Sequence, residues 1–384
     1  MSAKNDVAIV GVGLHPFGRH GDKLALQMGV EAARAALADA GTEWAKVQTA
    51  FVGSYEVSNP DAIVGWLGLT GIPVRAVFNG CATGGTSLQM AAAAIRNGEA
   101  DVAMAIGMDK HPRGAFAADP AVVGQPAWYG QTGLFLTTHF FGTKINRYMG
   151  LHGISADSLA RIAAKNLHNG SITPHAWRRK PVPAEVIRDS EVVNYPLTRY
   201  MYCNPCEGAA AVVLCRGDLA RSFTSTPVYV RASELRTRRH GAFEVQSPSL
   251  PLQTAPSPTV DASRAAYAAA GIGPEEVQVA QLQDTDAGSE LIHMAENGFC
   301  GDGEQEQWIA DGRTDIGGAL PVNTDGGLIA NGEPIGASGL RQIYETVLQL
   351  QGRAGDRQVP GRPRVGYTHL YGAPGASAVS ILSR

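Results

Sequence analysis

The feature that most limits what this chain can fold into is an internal repeat. Residues 32–50 read AARAALADAGTEWAKVQTA and residues 262–280 read ASRAAYAAAGIGPEEVQVA, with ten of nineteen positions identical at a constant offset of 230. Each copy runs from an alanine-rich helical stretch through a glycine (Gly41, Gly271) and a polar segment into a β-type run. A glycine directly after a helical stretch supplies the left-handed residue that ends a helix. A second echo follows. Ala82-Thr83-Gly84 opens one helical stretch and Ala337-Ser338-Gly339 opens another, and each leads into a β-type run, DVAMAIGMD or PRVGYTHLYG. The same order of elements twice over predicts a duplicated α/β architecture: two similar halves, each a mainly buried sheet covered by helices.

The expected halves are residues 1–246 and 247–384. The first contains an irregular insertion at about residues 111–200, rich in Gly, Pro, His and aromatics, with a helix expected at Ala156–Asn166. Long mixed insertions of this kind serve as lids or substrate-binding segments. The stretch SPSLPLQTAPSPT at 247–259 reads as a linker.

Composition narrows the function classes. Charged residues are 17% of the chain, against about 25% in an average soluble domain. So little charge implies much buried surface, part of it in an oligomer. A net charge of −3 without single-sign blocks gives no reason to expect nucleic acid or an anionic membrane as partner. No run of 18 apolar residues exists, so no transmembrane helix is expected. The opening VAIVGVG reads as a strand rather than a secretory leader. Five cysteines, odd and sparse, argue against a disulfide framework and fit a reducing cytoplasm. Cys203 and Cys206 form a lone CxxC; without a second pair it predicts no metal site.

Three segments carry candidate chemistry. Cys81 lies in Asn79-Gly80-Cys81-Ala82-Thr83-Gly84-Gly85, between a strand-like run and a helix. A helix N-terminus lowers a thiol pKa and favours the thiolate, so Cys81 is a candidate nucleophile. A buried small hydrophobe is the equally common fate of a free cysteine. The second segment, Val322 to Gly339, is a glycine-dense loop that lets backbone approach a ligand closely; its spacing fits no nucleotide-binding fingerprint. The third, Tyr367 to Gly375, holds His369 and Tyr371 beside a glycine-rich turn, an acid/base candidate.

These segments, in this order, resemble the thiolase superfamily, above all the sterol-carrier-type thiolases and the bacterial lipid-transfer thiolase-like proteins. VAIVGVGLHPFG is similar to the family's opening strand, and NGCATGG to its nucleophile motif. FGTKINRYMGLHGISADSLARIAAKNLHNGSITPHAW resembles its loop domain, and NPCEGAAAVVL the returning strand. VNTDGGLIANGEPIGASG resembles VNxxGGxxxxGHPxGATG. The resemblance implies a five-layered αβαβα fold, a homodimer, and a coenzyme A thioester as substrate with no tightly bound cofactor.

Carried over by position, the resemblance makes Cys81 the acyl-accepting nucleophile and His369 the C-terminal proton-moving group. It departs from the family pattern at two places. Glu333 stands where the GHP histidine is expected, and Gln283-Asp284 begin the segment that matches HDCF or NEAF. A carboxylate beside a thiol opposes thiolate formation. The first expectation is therefore acyl transfer of Claisen or retro-Claisen type through Cys81. The alternatives are a retro-aldol lyase acting on a β-hydroxyacyl-CoA without a covalent intermediate, and a non-catalytic carrier or partner subunit. Lyases of this resemblance pair with a small OB-fold/zinc-ribbon protein. Tyr371 is an expected hydroxyl or oxyanion donor. Arg236, Arg238 and Arg239, with Ser338 and Gly339, are the expected CoA-binding residues. Trp128, Tyr129, Phe135, Phe140 and Phe141 in the insertion suggest a bulky acyl group or, equally, the insertion's own core.

Overall fold

The computed structural model describes residues 6–242 and 254–384. The expected linker and the boundary at 246/247 fall largely on residues 243–253, outside the described residues.

Nine strands form one sheet. They are β1 (Val7–Gly18), β2 (Thr49–Gly53), β3 (Val74–Val77), β4 (Val102–Lys110), β5 (Glu207–Arg216), β6 (Val228–Thr237), β7 (Val279–Gln281), β8 (Val365–Gly372) and β9 (Ala376–Ser383). Their order is β3-β2-β4-β5-β1-β6-β9-β8-β7. Read outward from the β1/β6 junction, both sides begin alike: first strand, last strand, then the strands between them in the chain, three on the β1 side and two on the β6 side. The repeat seen in sequence is thus a pseudo-two-fold through the middle of the sheet. Strand β1 pairs antiparallel with β5 along most of its length and touches β6 only at Ala8 and Ile9.

The helices complete the layers. Helix α1 (Ala25–Asp39) covers one face of the N-terminal strands, its Met28, Ala32, Ala36 and neighbours packing on Val10, Val213 and Ile106. Helix α2 (Thr83–Arg96) lies on the opposite face; α5 (Pro258–Ala270), the counterpart of α1 in the repeat, covers the outer face of the C-terminal strands. Both repeated helices end as expected, at Gly41 (φ 60°) and Gly271 (φ 70°). The insertion supplies α3 (Thr137–His152) and α4 (Ala156–Ser171), five residues longer than read from sequence. It has an apolar core of its own around Ile145, Leu159, Ile162 and Leu167, shared with Leu291 and Ile329. Phe135, Phe140 and Phe141 are buried, whereas Trp128 is exposed.

In the second half, α6 is Ala287–Glu296, α7 is Gly327–Asn331 and α8 is Ile335–Gln351. Helix α8 begins two residues before the Ala337 expected from the repeat. It lies beside α2 in the centre of the molecule, between the two half-sheets, giving the order helix, sheet, paired helices, sheet, helix. The two central helices meet at glycines: a Cβ on Gly84 would stand 2.8 Å from Leu340 N and 2.9 Å from Gly339 Cα. Any side chain there would force the pair apart. Among the described residues, no helix is long and apolar enough to cross a membrane.

Candidate active site

The start of α2 and the start of α8 define one centre. Ahead of α2, Thr83 ties the Cys81 loop down: its hydroxyl accepts from Asn79 N (2.9 Å) and donates to Gly80 O (2.6 Å). Gly80 has φ 55° and packs so closely on the β8–β9 turn that a Cβ would lie 2.7 Å from Ala373 O. The C-terminal turn is therefore pressed against the cysteine loop. Ahead of α8, Gly336 N donates to Asp109 Oδ2 (2.6 Å) and Ile335 N to His111 Nε2 (3.1 Å). These two caps satisfy orphan amides of the helix start and lock the preceding residue pair, Glu333-Pro334.

Glu333 is fully buried. Gln283 Nε2 donates to its Oε1 at 2.9 Å, and the Cys203 thiol donates to its Oε2 at 3.6 Å. The Cys81 thiol is also hydrogen-bonded to it. Burial raises the Glu333 pKa; these three donors and the charge of His111 offset part of that rise. The Cys81 thiol is pushed well up, first by burial and then by the Glu333 carboxylate. Sequence reasoning expected the helix start to lower it. The dipole is outweighed first by burial, which disfavours the thiolate, and then by the Glu333 carboxylate beside it. Although its sulfur is closely surrounded, the Cys81 residue as a whole keeps partial solvent access; Cys203, Cys206 and Cys215 are buried. Cys203 is raised in the same way, by burial and then by Glu333. Neither member of the CxxC is arranged for a metal: Cys206 donates to Asn331 O (3.7 Å).

Cys81, Glu333 and Gln283 are thus brought together. Asp284, next in sequence, points elsewhere. Its carboxylate accepts from Asn166 Nδ2 (2.9 Å), Leu328 N (2.6 Å) and Ile329 N (3.1 Å). It anchors the start of α7, the segment leading to Glu333, rather than facing the thiol.

His369 and Tyr371 alternate with Leu370 along β8, and Leu370 packs with Ala82 on the α2 side. The two therefore face the other side of the strand. His369 Nε2 lies 3.1 Å from Thr259 Oγ1, and its ring meets that of His293 edge-on at 4.4 Å. Burial, then His293 and Lys144, depress the His369 pKa well below the usual imidazole value. His293, whose Nδ1 is 2.8 Å from Gln283 O, falls to about 3 through burial and Lys144. Tyr371 packs on Phe140 and Phe141, with Lys144 Nζ 5.1 Å from its ring centre. His369 thus reaches the Glu333 centre through His293 and Gln283, rather than by the direct convergence expected from the sequence.

The expected CoA-binding residues are differently employed. Arg236 pairs with Glu234 and Arg239 with Asp261, each at 2.8 Å. Arg238 runs over Gly375 in the β8–β9 turn, its amide donating to Gly375 O at 3.0 Å. Ser338 is buried, its hydroxyl turned to Ile335 O (3.4 Å), and Gly339 is in the α2–α8 contact, so neither faces a ligand surface.

Two cavities flank the centre, each of about 250 Å³. One is lined by Lys144, Arg147 and His152 of α3 with Ser257, Val260 and Glu296, and it adjoins Tyr371 through Lys144. The other is bounded by Phe116, Thr138, Phe141, Tyr202, Cys203 and Asn204. Sequence reasoning missed Asp109, His111, Cys203 and the α3 bases. Only the bases left a local signal, at i, i+3 and i+8 of one helix.

Comparison with known proteins agrees with this architecture. The family description "Thiolase, N-terminal domain" matches residues 7–195, and "Thiolase C-terminal domain-like" matches residues 247–384. An acetyl-CoA acetyltransferase of Methanothermobacter thermautotrophicus is 34% identical, covering 99% of this chain and 100% of that protein. Sterol carrier protein 2 of Bos taurus is 31% identical over 98% of this chain and 72% of that protein. Among solved structures, an "Ltp2-ChsH2(DUF35) aldolase" superposes with a TM-score of 0.86 at 24% identity, covering 98% of both chains. The chain belongs to the thiolase family: an acyl-CoA enzyme of that type, on the thiolase fold.

Proposed function

We propose that this protein breaks or makes a carbon–carbon bond next to a CoA thioester by aldol chemistry, with Glu333 as the base. One observation carries the reading. The group against the Cys81 thiol is a carboxylate, which together with burial raises the thiol pKa. A thiol held protonated is a poor nucleophile. Glu333 itself is a buried carboxylate with a raised pKa, the tuning a general base needs near neutral pH.

In the cleavage direction Glu333 takes the proton of a β-hydroxyl. The Cα–Cβ bond then breaks, its electron pair moving to Cα as the thioester enolate, and the β-carbon leaves as a ketone or aldehyde. The proton on Glu333 returns to Cα, so the products are a carbonyl compound and a shorter acyl-CoA. The Cys81 and Cys203 thiols and the Gln283 amide hold Glu333 in place, and its hydrogen bonds to them keep the carboxylate from being neutralised outright.

The thioester's phosphates belong at Lys144, Arg147 and His152, whose cavity adjoins Tyr371. This replaces Arg236, Arg238 and Arg239: Arg236 and Arg239 are tightly paired with Glu234 and Asp261 at 2.8 Å, whereas Lys144 meets Glu296 only at 3.8 Å. A homodimer is favoured by the unpaired edge of β3 and by the exposed side chains of Tyr55, Trp66, Leu69 and Phe78 around it. A small OB-fold/zinc-ribbon partner remains part of the proposal.

Acyl transfer through Cys81 is the second reading. It is favoured by the partial exposure of Cys81 at its loop and by the acetyltransferase name of the 34% identical relative. Incubation with β-keto and β-hydroxy acyl-CoAs, with products identified by mass, separates the two. Cleavage of a β-hydroxyacyl-CoA into a carbonyl compound and a shorter thioester supports the lyase. An acyl adduct on Cys81 overturns it.

A further inference from the structure

We infer that the cavity bounded by Phe116, Thr138, Phe141, Tyr202, Cys203 and Asn204 receives the carbonyl fragment of the substrate, and that this fragment is the size of one to two rings. The inference rests on the lyase reading for its chemistry, but the cavity makes its own case.

Position is the first argument. Cys203, in the cavity wall, is hydrogen-bonded to Glu333 Oε2 at 3.6 Å. Thr285, also in the wall, accepts from Gln283 Nε2 at 3.0 Å, and the same amide nitrogen reaches Glu333 Oε1 at 2.9 Å. Two independent side-chain routes thus connect this space with the carboxylate. Phe141 in this wall packs on Tyr371, and Lys144 of the CoA-side cavity lies over the same ring, so the two spaces are neighbours joined at Tyr371.

Volume is the second. The cavity holds about 250 Å³. A dry engineered cavity of about 150 Å³ is filled by benzene. The present space therefore exceeds one aromatic ring and is too small for a tetracyclic body to be enclosed; a larger fragment has to protrude through the mouth, where Val193 and Arg199 lie.

Lining chemistry is the third. Phe116, Phe141 and the Tyr202 ring provide apolar walls. The Tyr202 hydroxyl is already used, donating to Thr138 O at 3.0 Å, and the Thr137 hydroxyl donates to Phe116 O at 2.9 Å. Among the described residues, the Thr138 hydroxyl and the Asn204 carboxamide make no side-chain hydrogen bond, which leaves a donor pair for a carbonyl oxygen. Apolar walls with a few placed polar groups are the usual make-up of a small-molecule site. Cys203 thereby becomes a substrate-facing thiol, a role the sequence did not suggest.

The test uses the full-length protein and two readouts. The first is kcat/KM for β-hydroxyacyl-CoAs whose β-carbon carries methyl, cyclohexyl or phenyl, or a tetracyclic group. The wild type is expected to prefer the one-ring substrate over the methyl one, and Thr138→Trp to lower that preference about tenfold or more. The second is binding of a free bicyclic ketone, 1-indanone, by calorimetry, with protection of Cys203 from a small methanethiosulfonate. Binding and protection are expected in the wild type and lost in Thr138→Trp; Asn204→Ala, which removes a donor without filling space, serves if the tryptophan variant does not fold. Ketone binding at this cavity without cleavage of any thioester sustains the cavity assignment and sinks the lyase reading. Cleavage with no ring preference, or ketone binding that neither variant alters, overturns the cavity assignment and leaves the lyase intact.

Discussion

Gln283 Nε2 lies 2.9 Å from Glu333 Oε1, so an amide and a carboxylate stand together where the family resemblance led one to expect a histidine or asparagine beside a histidine. The pair is internally consistent. An amide donates to the charged form of the carboxylate and keeps it available as a base, against the pull of burial.

Glu333→Gln removes the base and is expected to lower turnover by about 10²–10⁴-fold, the usual worth of a general base. Cys81→Ala keeps most activity if the aldol reading is right. Steady-state kinetics on a β-hydroxyacyl-CoA compares the two. Loss of turnover in the alanine variant with retention in the glutamine variant contradicts the assignment.

The same substitution changes the thiol. With the negative charge gone, the Cys81 pKa falls, more thiolate is present at a given pH, and iodoacetamide reacts faster. Cys81 is expected to be labelled ahead of Cys203, Cys206 and Cys215, with the partly exposed Cys300 as its competitor. Peptide mass mapping over time reads the order; slower labelling of Cys81 in Glu333→Gln sinks the electrostatic argument.

Acid should weaken the fold through the His293–His369 pair. Both imidazoles have folded pKa values below the ordinary 6.5, so below that value the unfolded chain takes up protons that the native state refuses. Their contribution is complete above about pH 6.5 and is lost as pH falls towards the folded values. Glu333, whose folded pKa is raised, works the other way: stability declines as pH rises from the ordinary carboxylate value through the folded one. Urea midpoints between pH 4.5 and 8 are expected to rise with pH, and His369→Gln to flatten the profile. An unchanged slope in that variant removes His369 from the account.

Gly84→Val is expected to destabilise by about 1–3 kcal/mol, the usual effect of overpacking, because the Cβ would meet the backbone of α8 at under 3 Å. Equilibrium unfolding measures it. A midpoint equal to wild type would show that α2 and α8 can separate freely.

Light scattering is expected to give twice the chain mass, and Phe78→Glu with Leu69→Asp to give a monomer. A wild-type monomer at micromolar concentration rules out the β3 edge as an interface.

The fold was largely legible from the chain because its main signal is periodic. The alanine-rich stretches at 32–41 and 262–271, each ended by a glycine with positive φ, reveal a duplication without any knowledge of contacts. Cys81, Glu333 and Gln283 were legible as motif positions. What escaped is what only long-range packing creates. Asp109 and His111 sit more than 220 residues from the helix they cap, and Cys203 is 130 residues from Glu333. The pKa of Cys81 escapes a sequence reading for the same reason: its helix start is local, whereas the burial that raises it and the Glu333 carboxylate that adds to the rise come from packing with the other half. Arg236 and Arg239 looked free in sequence because Glu234 and Asp261 were not recognised as their partners.

The position of β1 has a consequence for how the chain is made. It is made before the other described strands, yet its main partner is β5, Glu207–Arg216, and it stands in the middle of the sheet. At the usual pace of synthesis about 10–40 s pass before that partner exists. During that interval an almost wholly apolar strand has α1 to pack on but neither of its strand neighbours, so the nascent N-terminal half is the stretch on which a chaperone would act, and the duplication that gave the enzyme its centre also gave it a delayed assembly.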